Sequence, residues 1–303
     1  MGPVLTVALL AFQAQIAPDP RLEQALSRLS EEAEVFLRVA PKVIGEETLK
    51  QRARLPPPRF RPRIGRAALE PPPARYQTRE IVTEYGFSSF QEAPESLHEF
   101  RQVVSVDGRK VTAPEKARKR LVMGMRSADD KVKERLLRDF EKAGLHGAAA
   151  DLAPMLLVFT RRQLPNYSFT VMGEDRIGAE TALKIAYKQT GGDAGVTVFT
   201  DGGAAKYPLA GEIWVRPSDS LPLRLVLRIQ STEKEKPVTR VSFIDYQLGG
   251  HGVLLPASVE FKEYVRGELT VENNYRYASF KMFKVEAEIK FEVVDPPAGG
   301  VRP

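Results

Sequence analysis

Few side chains in this sequence are placed to do chemistry. The chain has 303 residues and no cysteine, which removes disulfides, thiol nucleophiles and cysteine-bound metals. Its three histidines, His98, His146 and His251, lie far apart and show no metal-ligand spacing. Acidic pairs occur at Glu31-Glu32, Glu46-Glu47 and Asp129-Asp130. No histidine accompanies them, and acid–base work needs a positioned partner, so they read as solvated surface. The glycines of TDGGAAKY (Thr200 to Tyr207) lack the spacing of a phosphate loop and read as a turn. No G-x-S-x-G elbow occurs. Glu272-Asn273-Asn274, beside Tyr275 and Tyr277, has the donors and acceptors to bond a sugar or headgroup. Polar positions on the outer face of a strand explain it equally well. The sequence therefore predicts no catalytic residue, no metal site and no cofactor.

The charge is local. The net charge is +6, yet nine Lys or Arg and three Glu fall between Lys42 and Tyr76, and the remainder is neutral. That argues against a nucleic-acid-binding face spread over a folded domain. The basic segment contains seven prolines between Leu55 and Pro73, a composition that favours extended polyproline II. It reads as a solvated linker or as a strap whose Arg59, Arg61, Arg63 and Arg66 contact an anionic envelope surface.

Val4 to Phe12 is an apolar run that fits a signal-peptide core and is too short to span a bilayer. Ala14 or Ala17 could end it, although no Lys or Arg precedes it. Export to the periplasm or the medium is the expectation. No later stretch is long and apolar enough for a membrane helix, so no transmembrane segment is expected.

The elements that would position any site follow. Leu22, Ala25, Leu26, Leu29, Ala33, Phe36 and Leu37 recur at helical spacing, which predicts an amphipathic helix. Thr112 to Glu115, TAPE, has the form of a capping box opening a second helix, and Ser127 can cap a third. AAADLAPMLLVFTRRQL reads as a further apolar helix. Asp107-Gly108 and Arg266-Gly267 are hairpin turns. From Tyr76, and above all after Asn166, short alternating segments recur. They predict an α+β protein with one antiparallel sheet of about nine or ten strands, a meander or open barrel with a few helices.

One order of motifs carries a resemblance. GEIWV (Gly211 to Val215) is followed by LPLRLVL (Leu221 to Leu227), then FIDYQ, GVLLP and a tyrosine-rich strand. This resembles the bacterial lipoprotein-carrier fold of LolA and LolB over roughly Asn166 to Val294. The resemblance implies a curved half barrel, closed by helices, around an apolar cavity for acyl chains. The expected organisation is a signal peptide over 1–17, an amphipathic helix and Pro/Arg-rich linker over 18–75, a lipoprotein-carrier-like sheet domain over 76–295 and a tail over 296–303.

Alternation then names a candidate ligand face. Residues two apart in a strand share a face, which groups Ile213 with Val215 and Leu223 with Leu225, Leu227 and Ile229. Val241 and Phe243, Val259 and Phe261, and Leu269 and Val271 would extend it. Trp214 falls on the other face. The apolar face is either a filled core or a partly empty cavity. With the resemblance, it implies an exported, non-enzymatic binding protein for lipid or lipoprotein acyl chains. The alternative is an envelope scaffold with a filled core that binds partners through its Pro/Arg strap.

Overall fold

The computed structural model describes residues 19–56, 73–141, 151–192, 196–200, 203–230, 237–249 and 252–283. Asp19 caps the first helix, α1 (Pro20–Val39), its Oδ1 accepting from the Arg21 amide at 2.9 Å. Pro20 occupies the first helical position, where its missing N–H is no loss. Ala25, Leu29, Ala33 and Phe36 form the buried stripe.

Among the described residues thirteen strands follow: β1 (Val43–Arg54), β2 (Tyr76–Phe90), β3 (Ala93–Val106), β4 (Arg109–Lys110), β5 (Tyr167–Ile177), β6 (Glu180–Gln189), β7 (Val196–Thr200), β8 (Gly203–Tyr207), β9 (Ala210–Val215), β10 (Pro222–Gln230), β11 (Val238–Leu248), β12 (Leu254–Val265) and β13 (Glu268–Met282). Eleven form one open antiparallel sheet in the order β4-β3-β2-β1-β13-β12-β11-β10-β9-β6-β5, and β7 pairs with β8 apart from it. The architecture is the curved, open α+β sheet expected from the alternation.

Between β4 and β5 lie α2 (Pro114–Met125), α3 (Asp130–Glu141) and a 3₁₀ segment, Ala153–Phe159. The sheet is sandwiched. On its concave face α1 and the 3₁₀ segment pack over the main core. On the opposite face Leu121 and Met125 of α2 and Leu136 of α3 pack against Ile44 and Phe100.

Residues 43–54, read from composition as linker, form β1, inserted between β2 and β13. Its inward positions include Glu47 and Gln51, so the strand lacks a clean apolar alternation. The capping box at Thr112 does not form: α2 starts at Pro114 behind Ala113, with no side-chain cap. Asp129 rather than Ser127 serves the start of α3, its Oδ1 accepting from the Lys131 amide at 3.0 Å. The apolar stretch near Leu156 is a 3₁₀ segment, not an α-helix. Asp107 and Gly108, and Arg266 and Gly267, all have positive φ, the geometry that two-residue hairpins require.

Gly211 shows why glycine opens GEIWV. A Cβ there would stand 1.8 Å from the Val226 carbonyl oxygen. Tyr187, its cross-strand neighbour, donates its hydroxyl to that oxygen at 3.0 Å.

Candidate functional site

The concave face is built by register. Leu225 opposes Ile213 and Ile244, Ile244 opposes Val259, Val259 opposes Tyr275, and Tyr275 opposes Leu49. Each pair keeps its side chains on one face, as antiparallel pairing demands. Ile213, Val215, Leu225, Leu227, Val259, Phe261 and Val271 join the one core cluster, and none is more than 6% exposed.

Four expected members stand elsewhere. Val241 and Phe243 lie on the opposite face, because Phe243 opposes Val226 and Val241 opposes Arg228. There they pack with Trp214, Ala182, Val226 and Leu223. Leu223 is carried to that face beside a register shift between Pro222 and Arg224. Leu269 is only half-buried and is not a member of the concave cluster. The inward positions of β11 are instead Arg240, Ser242, Ile244 and Tyr246. The sheet is apolar on both faces here, so alternation alone gave the wrong phase for β11. Arg59, Arg61, Arg63 and Arg66 lie outside the described residues.

In this structure the concave face is covered. Ala25, Leu29, Ala33 and Phe36 of α1, with Leu156, Val158 and Phe159 of the 3₁₀ segment, pack into the same cluster. Clefts of about 440 and 380 Å³ open elsewhere, beside Arg54 and Arg266 and beside Arg52 and Arg79.

The seat of α1 is imperfectly satisfied. Arg28 Nε, Ser30 Oγ and Glu32 Oε2 on the helix, and the Tyr167 hydroxyl on β5, are buried without a hydrogen-bond partner. Each such group opposes burial by about 1 to 3 kcal/mol. Burial also raises the Glu32 carboxyl above its ordinary value, despite Arg28 at 2.6 Å.

The cover is fastened at its other side by charge. Arg101 donates to both Glu47 oxygens at 2.8 Å and to Glu99 Oε2 at 2.8 Å. Glu99 Oε1 accepts from the Tyr85 hydroxyl at 2.7 Å and from the Ala153 amide, at the start of the 3₁₀ segment, at 3.1 Å. Asp151 accepts from the Glu99 amide at 2.9 Å and meets His98 Nδ1 at 2.6 Å. The Tyr246 hydroxyl donates to the Ala153 carbonyl at 3.1 Å.

Burial works against the Arg101 charge, but Glu47 and Glu99 hold the guanidinium protonated. Burial raises the Glu99 carboxyl, although Arg101 lowers it. These groups are enclosed and mutually engaged, so what they do is hold the 3₁₀ segment onto β3.

Sequence reading placed Glu46-Glu47 at the surface. The strand splits the pair: Glu46 is exposed and Glu47 fully buried. The helix splits Glu31-Glu32 in the same way. Asn273 also points inward, its Oδ1 accepting from Gln51 at 2.8 Å. Among the described residues no group of three or more His, Asp or Glu is arranged to hold a metal ion.

No protein-family model matches the sequence, and no curated protein matches it. Among solved structures it is similar to a domain from Vibrio parahaemolyticus assigned to outer membrane lipoprotein sorting (10% identity, TM-score 0.37, covering 88% of this chain and 95% of that one). It is similar to a DUF1329 family protein from Desulfovibrio piger (10%, TM-score 0.36, 91% and 98%). A LolA superfamily protein from Nitrosomonas europaea is also similar (10%, TM-score 0.31, 86% and 94%).

Proposed function

We propose that this protein is an exported, non-enzymatic binding protein whose concave face accepts an apolar chain, lipid or lipoprotein acyl, when α1 lifts from it. The observation that carries this reading is the row of apolar residues that crosses the concave face through Ile213, Leu225, Ile244 and Val259, under a helix seated over unpaired polar atoms. Lifting α1 returns Ser30 and Glu32 to water. An acyl chain offers the exposed strands the same hydrophobic burial that the helix supplied, worth about 25 cal/mol per Å². Export rests on the apolar run Val4 to Phe12. Among the described residues no helix is long and apolar enough to cross a membrane.

The test is titration with an environment-sensitive fatty-acid probe. Wild type and Phe243→Ala, altered on the outer face, should bind it saturably. Phe261→Asn, altered on the concave face, should lose binding while a thermal melt confirms that it is folded. If that variant is unfolded, the milder Phe261→Leu should shift the affinity. Absence of binding by the wild type contradicts the reading and favours a scaffold whose concave face stays filled, as it is in this structure.

A further inference from the structure

The concave face is not apolar throughout. Phe261 opposes Ser242 on β11 and Asn273 on β13, and Asn273 opposes Gln51 on β1. Ser242, Phe261, Asn273 and Gln51 therefore make one row across the sheet, on the same face. The next row, two residues along each strand, is the apolar one of Ile244, Val259, Tyr275 and Leu49. The polar row is enclosed: Ser242 and Gln51 are each 3% exposed and Asn273 0%. Of the run Glu272-Asn273-Asn274, Asn273 alone is buried, and Asn274 is exposed.

The row is left one bond short. Gln51 Nε2 donates to Asn273 Oδ1 at 2.8 Å. Asn273 Nδ2 acts on the nearby Tyr275 hydroxyl, but nothing stands in hydrogen-bonding geometry to accept from it. A buried donor without an acceptor opposes folding and calls for a reason. The charges beside the row are already matched. Arg240 donates to Glu263 Oε2 at 2.9 Å, and Thr270 donates to Glu263 Oε1 at 3.2 Å. Arg79, opposite Gln51 on β2, is half-buried and is engaged too.

We infer that this row holds the carbonyl oxygen of an esterified acyl chain whose hydrocarbon lies over the neighbouring apolar row. The inference rests on the reading that the concave face accepts such a chain, and adds which end goes where. The Asn273 amide needs an acceptor that brings no donor of its own, which an ester carbonyl is. The Ser242 hydroxyl, on the other side of Phe261, offers a donor to a second oxygen of the same head. A free carboxylate fits less well. Its buried charge needs a cation, and Arg240 already has Glu263. Pockets for apolar ligands are commonly built in this way, with a few polar groups that fix orientation among apolar walls.

The experiment is displacement of the fatty-acid probe by methyl laurate, by laurate and by dodecane. Wild type should take methyl laurate more tightly than ionised laurate. Asn273→Leu should weaken methyl laurate by roughly tenfold, what one buried hydrogen bond contributes, and leave dodecane unchanged. Ser242→Ala, the milder change, should weaken the ester in the same selective way and serves where Asn273→Leu does not fold. Ester binding untouched by both substitutions would overturn the inference while leaving the apolar face as a binding surface. Equal losses for ester and dodecane would do the same, as would tighter binding of laurate than of its ester. A wild type that binds none of the three would overturn this inference together with the reading beneath it.

Discussion

Glu47, Glu99, Arg101, Asp151 and His98 decide how firmly the cover sits, and each has a measurable signature. Burial pulls the His98 imidazole down, but the hydrogen bond and charge of Asp151, with Glu99 behind it, raise it above its ordinary value. A histidine raised in the folded state stabilises that state fully below its unfolded pKa, and the contribution is lost as pH rises through the folded pKa. Thermal melts across this range should show wild-type stability falling from mildly acidic pH toward alkaline pH, relative to His98→Gln. Identical profiles would show that the Asp151 contact holds nothing. Arg101→Met should be more damaging, because it leaves two enclosed carboxylates without their cation. A loss of about 3 to 5 kcal/mol is expected in a denaturant titration, and a loss under 1 kcal/mol would mean the site is wetter than its burial indicates. None of this cluster was legible in the sequence. Its members are spread from β1 to the residues before the 3₁₀ segment, and only the register of β1, β2 and β3 brings them together. An acidic pair such as Glu46-Glu47 looks the same whether a strand turns one carboxylate inward or a loop exposes both.

The elements were legible where periodicity was clean. The stripe Ala25, Leu29, Ala33, Phe36 gave α1, and the left-handed turns gave the hairpins at Asp107-Gly108 and Arg266-Gly267. Periodicity failed where polar residues face inward. In β1 the inward Glu47 and Gln51 hid a central strand within a basic, proline-bounded segment. In β11 the inward Arg240, paired with Glu263 at 2.9 Å, made the wrong face look apolar. The glycine of GEIWV was visible as a motif, but its reason is steric. Gly211→Ala places a methyl against the Val226 carbonyl and pushes Tyr187 off its hydrogen bond. Overpacking of this kind is destabilising by about 1 to 3 kcal/mol or more. A thermal melt should fall accordingly, and an unchanged melt would mean that β9 and β10 separate more easily than their pairing implies. Replacing Gly173, whose added Cβ would meet nothing within 4 Å, tests backbone strain alone by comparison, since its φ is 111°.

At the scale of the whole molecule, the sheet offers a largely apolar concave face under a helical cover. The open sheet was legible because antiparallel strands recur along the chain. Whether the concave face was filled was not, because alternation reports which way a side chain points and not what stands opposite it. The central claim is that this face exchanges its helical cover for an apolar chain. Native mass spectrometry of the protein, isolated without detergent from its own host, tests that most directly. The account predicts a species heavier than the bare chain by one lipid or acyl-bearing molecule, lost on mild activation and absent from Phe261→Asn. A bare chain from the wild type, with no added mass under the gentlest conditions, would contradict it.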